Sequence, residues 1–146
     1  MSDFVFQGTS LLSLDAKGRI TVPARHREAL NDLSQGQLTF TRHPDGYLLM
    51  FPRPNWVNFR ARLMTLPMQA DGWRRLFLGS AVDVEVDSAD RVLVPPELRA
   101  AAKLIKELRL IGNGNRLEIW DAERHALHEA KVLAEPIPES IQGFVF

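Results

Sequence analysis

The residues best equipped for chemistry lie in one short run, Asp15-Ala16-Lys17-Gly18-Arg19. Two cations, one carboxylate and a glycine share five positions, and Arg25 and Arg27 follow shortly after. Gly18 permits a positive φ and lets a backbone pass close to another molecule. Lys17 and Arg19, two positions apart on a strand-turn, project to one side, which suits a β-element lying along a phosphate rail or entering a groove. Arginine can fork onto the O6 and N7 acceptors of guanine, worth about 1–3 kcal/mol of base discrimination. Lysine serves better as a point charge for phosphate. Arg19 therefore ranks first as a candidate contact, then Lys17, then Arg27 and Arg25, with Gly18 shaping the backbone between them. Asp15 reads differently, as a short carboxylate that closes the turn through backbone N–H groups.

The same phrase returns 72 residues later. Asp15, Arg19, Val22, Pro23, Arg27 and Ala29 are repeated by Asp87, Arg91, Val94, Pro95, Arg99 and Ala101. Six identities fall in fifteen positions, where composition alone gives about one. Downstream, LTFTRHPDGYLLMFP from Leu38 is echoed by LRLIGNGNRLEIWD from Leu108. The second copy differs in charge: Ala89 stands for Lys17, Asp90 for Gly18 and Glu97 for Arg25, leaving one cation and two carboxylates in its turn. It is therefore expected to be mainly architectural, with Arg91 and Arg99 as secondary candidate contacts. Because Arg99 repeats Arg27, Arg27 also has a second reading, as partner of a carboxylate within the paired units.

Each copy needs the same elements to position these residues. Val82 to Val86 alternates apolar and acidic residues as a half-buried strand does. A tight turn follows at Asp15–Gly18 or Asp87–Asp90, then a short strand ended by Pro23 or Pro95, which cannot donate to a ladder. Short helices are predicted over about Ala24–Asn31 and Pro96–Lys103, the latter opened by a proline at its first position. Hairpins turning at HPDG and GNGN close each copy. Between the copies, Trp56, Phe59 and Leu63 recur at helical spacing, as do Trp73, Leu76 and Ser80, with Pro67 separating the two stretches. A last helix is predicted from an Asp121 N-cap to about Leu133, followed by a tail with two prolines. The resulting division is residues 6–52 and 81–122 for the two units, 53–80 for connecting helices and 123–146 for the terminal helix and tail.

A chain of 146 residues forms one compact domain or two very small ones. A unit of roughly 45 residues is too small to bury a good core alone, so two such units most simply share one, as a homodimer fused into a single polypeptide. With no cysteine, disulfides, cysteine nucleophiles and thiolate metal sites are excluded. The N-terminal run MSDFVFQGTS lacks the basic and apolar segments of a secretory signal. No run approaches the roughly 18 apolar residues of a membrane span, so a soluble intracellular protein without membrane contact is expected. Net charge is zero, but residues 1–75 carry 10 Lys/Arg against 6 Asp/Glu and residues 76–146 carry 8 against 12. Such asymmetry points to a polyanionic partner for the first half or to head-to-tail packing of chains.

With the duplicated phrase in view, the sequence resembles the MraZ family of the SpoVT/AbrB-like superfamily. The similarity runs from about Phe6 to Leu133 and rests on the order and spacing of LDAKGRITVP, RRLFLGSA, DRVLVPPELR and GNGNRLEIWD. It implies an α+β, mostly β fold: a pseudo-symmetric swapped-hairpin barrel from two tandem looped-hinge units with flanking helices. The resemblance also implies a bacterial transcriptional regulator of the division and cell-wall gene cluster, cytoplasmic and associated with the nucleoid. Its partners would be double-stranded DNA, at short G-rich direct repeats upstream of its own operon, and further copies of itself in a closed ring, an octamer or similar. In the superfamily the arginines matching Arg19 and Arg27 lie on the DNA face. The second turn departs from the family pattern, because glycine is usual where Asp90 stands. In a ring, the acidic unit of one chain would meet the basic helical region of the next, with Arg60, Arg62, Arg74 and Arg75; otherwise these arginines lie on solvated helix faces.

Two other classes compete. A small metalloenzyme would use His125 and His128, at i, i+3 with Glu129 adjacent, but a third ligand at useful spacing is lacking. No glycine-rich phosphate loop, nucleophile elbow or paired-carboxylate motif is present, so no catalytic residue, metal, cofactor or small-molecule substrate is assigned. An antitoxin-like interaction module of the same superfamily would carry one unit and a long binding tail, whereas here two units fill the chain.

Overall fold

The protein is described by a computed structural model covering residues 4–144. The first unit comprises β1 (Thr9–Ser13), β2 (Arg19–Thr21), α1 (Ala24–Ser34), β3 (Gln37–Arg42) and β4 (Leu48–Pro52). Two connecting helices, α2 (Arg53–Leu63) and α3 (Asp71–Gly79), lead to the second. It repeats the pattern as β5 (Val82–Glu85), β6 (Arg91–Leu93), α4 (Pro96–Ala101), β7 (Glu107–Gly112) and β8 (Leu117–Asp121), followed by α5 (Ala122–Ala134). The architecture is α+β, organised on an antiparallel sheet of order β1-β7-β8-β4-β3-β5 and a separate two-stranded ribbon, β2-β6.

The units are interleaved. β1 of the first pairs with β7 of the second, from Thr9↔Ile111 to Ser13↔Glu107, and β5 of the second pairs with β3 of the first. β2 and β6 pair with each other about Ile20↔Val92. Each unit thus lends its opening β-turn-β segment to the other. The strands do not close into a barrel among the described residues: β1 and β5 end the sheet at opposite edges. Each edge strand instead turns sharply into its ribbon strand.

The sheet is apolar on both faces, so β4 alternates between two cores and is buried throughout. On one side Leu38, Phe40, Leu48, Met50, Leu108, Leu110, Leu117 and Ile119 pack against the ribbon's Ile20, Val22, Val92 and Val94 and against Leu30 and Leu98 of α1 and α4. On the other, Tyr47, Leu49, Phe51 and Trp120 meet Trp56 and Leu63 of α2, with Phe59 and Phe77 alongside. Phe6 caps the first core through a two-way backbone bridge to Gly114, 2.7 and 3.0 Å. A Cβ on Gly112 would run into the Phe6–Gln7 backbone, which accounts for the glycine at the end of β7.

Three local expectations shift. Helix α1 continues a turn beyond Asn31, because Leu33 still packs on the core, and it ends with Gln35 in the left-handed region at φ 55°. Helix α4 stops at Ala101, short of the expected Lys103, which takes φ 55° while Leu104 N–H reaches back to the Arg99 carbonyl at 2.9 Å. Trp73, placed by spacing on the apolar stripe of α3, is 55% exposed; Phe77 and Leu78 form the packed side instead. The Asp121 N-cap is present, its carboxylate accepting the Arg124 N–H at 3.1 Å.

Candidate nucleic-acid interface

The two turns are built alike. Asp15 Oδ1 accepts the backbone N–H groups of Lys17 and Arg19, each at 2.9 Å, and Oδ2 accepts Arg19 Nε at 2.7 Å. In the second copy, Asp87 Oδ1 accepts from Ala89 and Arg91 at 2.9 Å, and Oδ2 from Arg91 Nε at 3.2 Å. The carboxylate thus closes the turn and aims the arginine that follows. Only Nε is engaged, so no described hydrogen bond occupies the two Nη groups of either arginine.

These bonds hold both carboxyls below the usual carboxylate range, the Arg19 N–H being the largest cause at Asp15 and the Arg91 N–H at Asp87. A depressed folded-state value means that the stabilising contribution is complete above the unfolded-state value, near 3.9, and is lost as pH falls through the folded one. Thermal midpoints measured from neutral pH down to about pH 2.5 should therefore fall less steeply for Asp15→Asn than for the wild type. Parallel curves would mean that the Asp15 charge adds nothing to stability.

The ribbon positions the arginines relative to each other. Ile20 and Val92 are buried, while Thr21 and Leu93 are exposed, so Arg19, Thr21, Arg91 and Leu93 share the outward face. Arg19 stands opposite Leu93, and Arg91 opposite Thr21, which makes the two arginines diagonal neighbours. Beyond them the turns lie at opposite ends of the ribbon, because the strands are antiparallel.

The helix arginines are exchanged between the turns. Arg27 donates from Nε to the Val22 carbonyl at 2.9 Å, and Arg99 does the same to Val94 at 2.9 Å. The ribbon register carries each guanidinium to the other unit's turn. Arg27 Nη1 lies 3.6 Å from Asp90 Oδ2, whereas the Arg99 guanidinium lies over Gly18, where a Cβ would come within 2.5 Å of its Cζ. Gly18 thus has two reasons to be glycine, its φ of 80° and this contact. The first turn gathers Lys17, Arg19 and Arg99, and Asp15 is the one carboxylate in an ion pair there among the described residues. Around the second, Arg91 and Arg27 are matched by Asp87 and Asp90, the latter held at φ 60°.

The structure therefore brings Lys17, Gly18 and Arg19 together with Arg99, which the sequence grouped with the second copy. It sets Arg27 beside Asp90, the carboxylate-partner arrangement. Arg25 is exposed on α1 and rests against Gly8 and the N-terminal segment. The signal for the Arg27–Arg99 exchange was present in their strict repetition, but which turn each reaches depends on strand pairing. The histidine pair has other surroundings: His125 is buried, its Nδ1 accepting from Arg109 at 2.8 Å, and His128 lies against Trp120.

A family model described as "MraZ protein, putative antitoxin-like" matches residues 5–76 and again 77–140. The chain is 61% identical over 146 residues to the Transcriptional regulator MraZ of Leptothrix cholodnii and 55% identical over 146 residues to that of Methylibium petroleiphilum, in each case across 100% of both chains. It is 54% identical over 142 residues to the protein of the same name from Cupriavidus taiwanensis, spanning 97% of this chain and 100% of that one. A duplicated turn with an aspartate clamp, two tandem family matches and full-length relatives lead to one assignment: the chain belongs to the MraZ family.

Proposed function

We propose that this chain is a sequence-specific DNA-binding transcriptional regulator that acts on short G-rich direct repeats upstream of its own operon, in the bacterial division and cell-wall gene cluster. The observation that carries this reading is the composite first turn, where Arg99 lies over Gly18 between Lys17 and Arg19 and Asp15 is the one ion-paired carboxylate among the described residues. The relatives' shared name, transcriptional regulator, supports it. A two-stranded ribbon is narrow enough to enter a major groove. Arg19 then reads guanine, while Lys17 and Arg99 hold phosphate. The second turn stays architectural because its charges cancel.

On this reading residues 6–52 and 81–122 are the two swapped-hairpin units, 53–80 link them, and 123–146 form the terminal helix and tail. Copies close into a cytoplasmic, nucleoid-associated ring, and several weak turns acting on repeated sites add through effective concentration. The α2–α3 surface offers fewer free cations to a neighbouring copy than its sequence suggests, since Arg74 and Arg75 both contact Asp71, at 3.3 and 2.5 Å.

Fluorescence anisotropy with a duplex from the gene's upstream region, titrated with salt, tests the proposal. Affinity should fall steeply with salt as phosphate neutralisation releases counterions, and a scrambled duplex should bind more weakly. Salt-insensitive or absent binding sinks the regulator reading. The asymmetry of the turns has its own test in Asp90→Gly, which makes the second turn resemble the first and removes the carboxylate beside Arg27. Non-specific DNA affinity should rise several-fold, and the salt slope should steepen by about one unit. An unchanged slope would place the second turn away from the DNA.

A further inference from the structure

We propose that a cavity on the opposite side of the sheet from the ribbon binds a single-ring aromatic carboxylate. The cavity, about 220 Å³, opens where the β3–β4 and β7–β8 hairpins meet helices α2 and α3. Its floor is Leu49 and Phe51 of β4, both almost fully buried, and its walls are Phe59 and Phe77. Phe59 stacks on Phe51 at 5.1 Å and 24°, and Phe77 meets Phe59 edge-on at 5.4 Å and 85°. The open volume beside these rings suits a flat apolar body. A cavity of about 150 Å³ accommodates benzene, so this one has room for a ring and one substituent.

The rim sets the charge of that substituent. Arg62 of α2 and Arg116 of the β7–β8 turn border the cavity, and neither has a carboxylate within ion-pair distance among the described residues. The side chain of Arg62 makes no described hydrogen bond, and Arg116 makes one long contact, 3.4 Å to the Asn115 side chain. Glu118, on the strand that follows, is taken by Trp120 Nε1 at 3.0 Å and Asn113 Nδ2 at 2.9 Å. The rim is also held in place: Asn55 of α2 donates to the Asn115 carbonyl at 2.8 Å, tying the turn to the helix, and His43 stacks on Tyr47 at 4.2 Å. Two uncommitted guanidinium groups over an aromatic-walled cavity match a carboxylate on a planar ring, because the guanidinium fork fits that anion in geometry and charge.

The test is calorimetric titration of the full-length protein in its own assembly with benzoate, with benzyl alcohol as a neutral single-ring analogue. Benzoate should bind saturably, in the micromolar to millimolar range open to so small a ligand, and at least about tenfold more tightly than benzyl alcohol, the factor expected for a charge-assisted hydrogen bond. The Arg116→Gln variant should lose several-fold in benzoate affinity while keeping the wild-type melting temperature, DNA affinity and oligomer size, and the Arg62→Gln/Arg116→Gln variant should lose about tenfold or more in benzoate affinity. Arg62→Gln alone, on an exposed helix position, should lose part of it. No saturable benzoate heat, equal binding of the alcohol, or indifference to both variants would overturn the proposal. So would a changed oligomer size in Arg116→Gln, which would make the rim a contact between copies.

Discussion

Arg19→Ala is expected to remove specific binding to the upstream duplex, whereas Arg91→Ala leaves most of it. One forked arginine–guanine contact is worth about 1–3 kcal/mol, a factor of roughly 5 to 150 for a single site. Where several copies engage repeated sites, the loss recurs at each engaged turn and the effective-concentration gain collapses with it. The fold should survive, since the Arg19–Asp15 pair is partly exposed and exposed ion pairs contribute little to stability. Lys17→Ala should instead weaken all duplexes alike and lower the salt slope by about one. Anisotropy on the three variants separates the roles. Equal losses in Arg19→Ala and Arg91→Ala would mean that both turns read DNA, as their diagonal placement on one ribbon face allows, and the architectural assignment of the second turn would fall.

Phe40→Ala should give the largest loss of stability. Phe40 is fully buried at the centre of β3, opposite Met50 on one side and Val82 on the other. Removing a buried phenylalanine side chain costs about 3–5 kcal/mol, the lost transfer energy plus the cavity left behind. That is a large share of the roughly 5–15 kcal/mol that holds a domain together. At about 2–4 °C per kcal/mol for a chain of this size, the melting temperature should drop by roughly 6–20 °C. Because β3 is hydrogen-bonded to strands of both units, secondary structure and DNA binding should be lost in one coincident transition. A first unit melting ahead of the second would contradict the shared core.

Much of this organisation is legible in the residues. The repeat, the turn aspartates, the prolines that stop β2 and β6 and the Asp121 cap are local features whose chemistry does not depend on distant partners. The interleaving is not of that kind: an alternating strand buries the same face whether it pairs within its own unit or across to the other, so periodicity is silent on the choice. Arg27 illustrates the consequence, since only the ribbon register determines that it reaches Asp90 while Arg99 reaches Gly18. Trp73 shows a limit of helical spacing, which finds an apolar stripe but not which residues of it meet a neighbour. The aromatic cavity had a faint signal in Phe59, which recurs at helical spacing with Trp56 and Leu63; Phe51 and Phe77 join it only when α2 and α3 fold back over the sheet.

The exchanged strands also bear on how the protein comes into being. The first turn is complete only when Leu93 faces Arg19 and Arg99 covers Gly18, and β1 waits for β7, whose last paired residue is Ile111. Synthesis proceeds at about 5–20 residues per second, so a nascent chain spends several seconds carrying every residue of the first turn with no ribbon to support it. A growing polypeptide therefore cannot present the composite turn until β6, α4 and β7 have been made. On the proposed reading, only chains that extend through β7 bind DNA specifically, and a message truncated before it should yield a product that does not.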